Sequence, residues 1–220
     1  GLTDKTAEIN RCAAAISREA AGPDRHVIAS IGPTGKFLMT GEVTEQELYE
    51  AFAEQASALE AGGADACCIE TMMAPDEAAI AARAARENTR LEVLCTFTFD
   101  HPVNGVHRTM MGSSPQEVAA AALEAGAHIV GSNCGYGPAE MVEVVRALRA
   151  AAPGVPILVQ PNAGLPETGP DGLHYPETPE SMAGYVGRLL EAGANILGGC
   201  CGTTPAHIRL IKDAADRAVP

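Results

Sequence analysis

Short apolar runs rich in Val, Ile and Ala alternate with longer amphipathic stretches along almost the whole chain. Apolar runs closed by Gly or Pro read as buried strands, and apolar positions recurring at i, i+3 and i+4 read as helices. On this pattern, strands are predicted at 26–31, 66–69, 92–99, 128–131, 156–160 and 195–197. Helices are predicted at 3–21, 44–59, 75–87, 115–124, 138–151, 178–191 and 204–218, with a long loop over 161–176. Thr44 and Glu47 stand at the spacing of a capping box at the start of one helix.

Three helices close on nearly the same phrase: Glu60-Ala61-Gly62-Gly63-Ala64, Glu124-Ala125-Gly126-Ala127 and Glu191-Ala192-Gly193-Ala194. The glycine suits a left-handed C-cap, after which the chain enters the next strand. The result is a βα unit repeated about every 32 residues. A (β/α)₈ barrel has this rhythm, and so does a doubly wound open sheet, so periodicity alone leaves both open. No linker or low-complexity segment interrupts residues 1–220, which read as one domain.

Charge and composition exclude several classes. Fifteen Lys and Arg against 28 Asp and Glu leave a net charge of −13, which repels a phosphate backbone or an anionic membrane. Aromatic residues are 4% of the chain, too few to stack many bases. No apolar run is long enough to span a bilayer, and no leader opens the chain. Nucleic acid and membrane are therefore not expected partners. Seven cysteines without a leader point to a reducing, cytoplasmic setting, where clustered thiols bind metal or do chemistry.

Parallel α/β folds carry chemistry in the loops that follow their strands. Three of the seven cysteines stand in such loops, in Ser132-Asn133-Cys134 and in Gly198-Gly199-Cys200-Cys201-Gly202-Thr203-Thr204-Pro205. Vicinal Cys200 and Cys201 cannot face one target from a regular strand, because neighbours point to opposite faces. Gly199 and Gly202 permit a turn that aims both inward. Cys134, Cys200 and Cys201 then form a soft, all-sulfur set suited to Zn²⁺, and three ligands with an open position are the catalytic arrangement. No fourth ligand suggests itself, since His207 lies on the last helix and Cys95 in mid-strand. Cys12, Cys67, Cys68 and Cys95 read as small buried hydrophobes. Glu70 ends an apolar strand and reads as either a loop carboxylate or a site residue; Asn162, beside Pro161 and Gly164, reads as either a turn former or a site residue.

The run Gly199-Cys200-Cys201-Gly202-Thr203-Thr204-Pro205, with Ser132-Asn133-Cys134 and Pro161-Asn162-Ala163-Gly164, resembles the zinc-dependent homocysteine S-methyltransferase family. Ile31-Gly32-Pro33-Thr34-Gly35 and Glu70-Thr71 also match, and the resemblance extends over essentially the whole chain. It implies a parallel (β/α) barrel of TIM type that moves a methyl group to the thiol of homocysteine to give methionine. Carried over, the metal ligands and catalytic centre are Cys134, Cys200 and Cys201. The resemblance also implies Glu70 as partner of the homocysteine ammonium and Asn162 as lining the substrate site. Two family strands, whose turns help hold the amino-acid end, find no match. The chain is thus expected to be an N-terminally incomplete barrel of six βα units preceded by a helix. On that expectation it holds zinc but turns over weakly, and its open edges recruit a partner chain or a second copy. The methyl donor stays open among methylcobalamin or methyltetrahydrofolate, betaine, S-methylmethionine and others. The rival readings are a non-catalytic zinc- or thiol-binding protein, a subunit that completes a barrel, and a barrel enzyme using its cysteines for redox work.

Overall fold

Helix starts follow capping chemistry closely. A single 3₁₀ turn at Thr3–Lys5 leads into α1 (Thr6–Ala21). In α2 (Glu45–Ala61) the capping box forms, with Thr44 Oγ1 accepting from the Glu47 N–H and the Glu47 carboxylate accepting from the Thr44 N–H. Helices α3 (Pro75–Asn88), α4 (Pro115–Glu124), α5 (Pro138–Ala151) and α6 (Pro179–Gly184) each open on a proline, as does α8 (Pro205–Ala218) after α7 (Val186–Ala192). Proline's fixed φ suits the first turn, where its missing N–H is no loss. The single helix expected over 178–191 is split into α6 and α7. At Tyr185 the N–H reaches back to the Met182 carbonyl in a tightened turn, between the weak helix formers Gly184 and Gly187.

The computed structural model describes residues 1–100, 102, 105–169 and 172–218. Strands β1 (Ile28–Ile31), β2 (Ala66–Met72), β3 (Glu92–Phe97), β4 (Ile129–Asn133), β5 (Ile157–Gln160) and β8 (Ile196–Leu197) form one sheet in that order. The class is α/β, with the element order of a TIM-type (β/α) barrel carrying six βα units preceded by a helix. Strand β2 runs on through Glu70 and Thr71, past the apolar run that marked it in the sequence. The loop expected over 161–176 contains an antiparallel pair, β6 (Glu167–Gly169) and β7 (Gly172–His174). β1 is not buried on both faces as expected: Ile28 is 47% exposed, and exposed and buried residues alternate along the strand.

Contacts gather the chain into two compact units, Gly1–Cys95 with Ala121–Ile129 and Thr96–Ala120 with Val130–Pro220. In the first unit, Leu48, Phe52, Ile69 and Ile80 are core residues. Cys67, Cys68 and Cys95 are buried, as read from the sequence. Burial pushes the Cys67 thiol up to about 12, and burial with the neighbouring Cys68 and Cys67 raises the Cys95 thiol well above its usual range. Cys12 departs from that reading: it lies exposed on α1, whose only buried residue is Ala14. The loop after β1 is tied down by the buried Glu77, whose carboxylate accepts from the Thr34 N–H and hydroxyl at 2.8 and 2.6 Å. In the second unit, Val130, Met141, Val145, Leu148, Ile157 and Val159 are buried. A smaller cluster of Ala163, Met182, Val186 and Ile211 carries Tyr175 and Leu197 against it.

The repeated glycine phrase has a common physical job. Gly63, Gly126 and Gly193 have φ of 96°, 97° and 113°, and the N–H groups after each helix close the paired bonds of a Schellman motif. Two residues later stand Asp65, His128 and Asn195. Each donates its N–H to the carbonyl of Val27, Val93 or Ile157, and its side chain accepts the N–H of that same residue. Above each glycine lies an arginine from an earlier helix: Arg18, Arg86 and Arg149. Arg149 makes four hydrogen bonds there, to the carbonyls of Ala152, Val155 and Gly193 and to Asn195 Oδ1. Replacing it removes charged donors from several partly buried carbonyls. Arg149→Leu is expected to lower stability by about 2–3 kcal/mol. Urea unfolding checks this, read as a fall in midpoint at unchanged slope.

Candidate metal centre

All three candidate ligands and Asn162 lie in the second unit. Strand β4 pairs with β5 in the register Asn133↔Gln160, and the ladder continues one step as the Cys134 N–H bonds the Gln160 carbonyl at 3.1 Å. Strand β5 pairs with β8 in the register Val159↔Leu197. That ladder also runs past the strand ends. The Cys200 N–H reaches the Pro161 carbonyl at 2.8 Å, and the Ala163 N–H reaches the Cys201 carbonyl at 2.9 Å. Both cysteine segments therefore leave the sheet beside the end of β5.

Asn162 fastens this junction. It is 4% exposed, its Oδ1 accepts the Cys201 N–H at 3.0 Å, and its own N–H bonds the Tyr136 carbonyl. The vicinal turn needs its glycine. At Gly202 φ is +79°, and a Cβ would lie 2.3 Å from Cγ of Tyr175, so the tyrosine ring occupies the space of a side chain. Thr203 closes the turn by donating to the Cys200 carbonyl at 2.7 Å. Cys134 itself has φ +61°, a conformation that costs a non-glycine residue roughly 1–3 kcal/mol and clusters at functional sites.

The sulfurs converge. Cys134 Sγ is 3.8 Å from Cys201 Sγ, Cys200 Sγ is 4.0 Å from Cys201 Sγ, and all three lie within 4.8 Å of one another. Zinc–sulfur bonds of about 2.3 Å in a tetrahedron give sulfur–sulfur edges of about 3.8 Å. The trio fits one face of such a tetrahedron. No further Cys, His, Asp or Glu joins it among the described residues. His207 does not: it is buried with its ring engaged by Thr204 and the Glu177 carbonyl at the start of α8.

Hydrogen bonds divide the charge unequally. The bond from Cys200, the Gly135 N–H, Cys201 and Asn162 outweigh burial and hold the Cys134 thiol down at about 5. Cys200, as the donor in that bond and partly buried, is pushed up. Without metal, Cys134 is the thiolate and Cys200 keeps its proton. Desolvation, then a hydrogen bond to Cys201, raises the Tyr175 hydroxyl.

Of the residues singled out in the sequence, the structure brings Cys134, Cys200, Cys201 and Asn162 together. Glu70 belongs to the first unit, where it lies within β2 and accepts from the Ser30 hydroxyl at 2.6 Å. Three residues at the centre went unassigned from sequence. Asn133 donates from Nδ2 to Cys200 Sγ at 3.7 Å, Thr96 donates to Asn133 Oδ1 at 2.7 Å, and Tyr175 covers the vicinal turn. Asn133 had a signal, its place beside Cys134; Thr96 and Tyr175 are distant in sequence and had none.

Comparison with known proteins gives the family and the fold. The sequence profile of the family described as Homocysteine S-methyltransferase matches residues 1–215. Methionine synthase from Mycobacterium tuberculosis is 35% identical over 224 residues, which is 97% of this chain, and that from Mycobacterium leprae is 35% identical over 227. The chain spans 18% of the length of these curated relatives. Among solved structures, the apo form of the homocysteine methyltransferase MmuM from Escherichia coli superposes with a TM-score of 0.71 at 22% identity, over 97% of this chain and 76% of that one. Its metallated form gives 0.69 at 23% identity, over 90% and 65%. At these identities the likeness to MmuM is one of fold.

The thiol asymmetry has a measurable consequence. In the metal-free protein, alkylation of Cys134 is expected to stay fast down to about pH 5 and to slow below it as the thiolate protonates. Cys200 is expected to react slowly at neutral pH. Mass-spectrometric mapping of iodoacetamide labelling across pH checks both.

Proposed function

The chain belongs to the homocysteine S-methyltransferase family, and from that premise we propose that residues 1–220 act as a zinc-dependent homocysteine-binding module that moves a methyl group to the homocysteine thiol. The observation that carries the reading is the spacing of the Cys134, Cys200 and Cys201 sulfurs, which suits three arms of a zinc tetrahedron with one open. When bound, zinc supplies Lewis acidity, so that a coordinating thiol gives up its proton at neutral pH.

The residues of the chain do the rest. Cys134, Cys200 and Cys201 would hold the ion, and their negative charges would keep the site electron-rich. Asn162 fixes the Cys201 turn and lines the substrate site. Glu70, kept in one orientation by Ser30, offers a carboxylate to the substrate ammonium. In the reaction the homocysteine sulfur attacks the methyl carbon in line. A sulfur–carbon bond forms, the bond from methyl to donor breaks with its electron pair staying on the donor, and the thiol proton passes to solvent. Among the described residues no helix is long and apolar enough to cross a membrane, and the proposed setting is the cytoplasm.

The purified chain is expected to hold one zinc per molecule by elemental analysis, and Cys200→Ala to lose stoichiometric zinc. Full zinc retention in that variant would overturn the ligand assignment. Calorimetry of the zinc-loaded chain with homocysteine separates this reading from a non-catalytic zinc protein, which takes up the metal without the amino acid. Glu70→Gln and Asn162→Ala are each expected to weaken homocysteine binding about tenfold, the loss of one charged or buried polar contact.

A further inference from the structure

The metal centre rests on a polar pair that lies wholly inside the protein. Thr96 is 0% exposed and Asn133 is 1% exposed. Thr96 is the penultimate residue of β3, and Asn133 is the last residue of β4, directly before Cys134. The Thr96 hydroxyl donates to Asn133 Oδ1 at 2.7 Å, and Asn133 Nδ2 donates to Cys200 Sγ at 3.7 Å.

A side-chain amide presents an acceptor on one side and a donor on the other. A thiolate ligand has no proton to give, so Cys200 can be met only by the N–H side. The flipped amide would set Oδ1 against the sulfur's negative charge. Burial excludes a water that might repair such a clash. The hydroxyl of Thr96 is what holds Oδ1 on the far side. We propose that Thr96 is a positioning residue for the metal centre, acting through Asn133 to present an N–H to Cys200 Sγ. This inference rests on the zinc reading above. Its consequence is that Cys200 is held toward Cys134 and Cys201 before metal arrives, and that part of its charge is carried by the amide once it ligates.

The test compares the full chain with Thr96→Val, which keeps the shape and loses the donor, and Thr96→Ser, which keeps the donor. Zinc affinity is read by chelator competition, and the cobalt-loaded proteins report the sulfur-to-metal charge-transfer band. Thr96→Val is expected to bind zinc about tenfold more weakly, still at one per chain, with a shifted band, while Thr96→Ser stays within about twofold of the parent. The Asn133 side-chain amide signals in the NMR spectrum of the metal-free protein give a readout free of metal. They are expected to move in Thr96→Val and to stay in place in Thr96→Ser. If Thr96→Val does not fold, Thr96→Ala serves as the second variant lacking the hydroxyl. Parental zinc affinity and unmoved Asn133 signals in a folded variant without the hydroxyl would overturn the proposal. A parent chain that takes up no metal would instead overturn the zinc reading, and the amide signals would still decide the Thr96–Asn133 bond.

Discussion

Strand register is the constraint on which the rest depends. A parallel pair that slips by one residue turns every side chain to the other face and ends at a different residue. In this protein register is pinned where strands begin, by a polar residue that gives its N–H and takes one back from the same neighbour: Asp65 with Val27, His128 with Val93 and Asn195 with Ile157. The glycine-ended helix before each pin delivers the chain at a set angle, an arginine packs over each glycine, and Arg18 and Arg149 also bond the open carbonyls around theirs. The pin at Asn195 sets Leu158 opposite Ile196. Counting forward from there, Cys200 and Cys201 come off the sheet beside Pro161 and Ala163. The chemistry at the end of the strands is thus decided at their start.

The three pins lie 63 and 67 residues apart, two βα units each time. The side chains differ, a carboxylate, an imidazole and an amide, but each offers an acceptor to the same backbone N–H. What persists is the hydrogen-bonding role, and identity is free within it. That explains how the pattern hides in the sequence behind its more visible companion, the Glu-Ala-Gly phrase.

At the centre itself, backbone strain and hydrogen bonding act together. Cys134 sits at positive φ, and its sulfur gathers hydrogen bonds from Cys200, Gly135, Cys201 and Asn162. A thiolate so surrounded is organised in advance, with little side-chain freedom left to lose on ligation. The bond to Cys134, then burial, raises Cys200, so a metal ion binding there would have to displace its proton, and would bind more weakly as pH falls. Neutral amides thus reach two of the three sulfurs, Asn162 at Cys134 and Asn133 at Cys200, without adding charge to the site.

The sequence by itself determined the element order, the α/β class and the identity of the thiol trio, because each has a local cause. Proline at the first helical position marked α4 and α5 to the residue, since its ring admits few other backbone states. Vicinal cysteines between glycines announced a turn, since no strand can aim both sulfurs one way. Tertiary structure decided what depends on pairing between distant segments. Glu70 became a strand residue because the ladder of β2 outran its apolar run. Residues 167–169 and 172–174 paired as a hairpin within a stretch too polar to read as strands. Cys12 stayed outside because only Ala14 of α1 is buried. Thr96 and Asn133 lie 37 residues apart and meet only after β3 and β4 take their register. A hydrogen bond of that kind has no period and no local signature, which is why the sequence names the three thiols and the fold names what holds them.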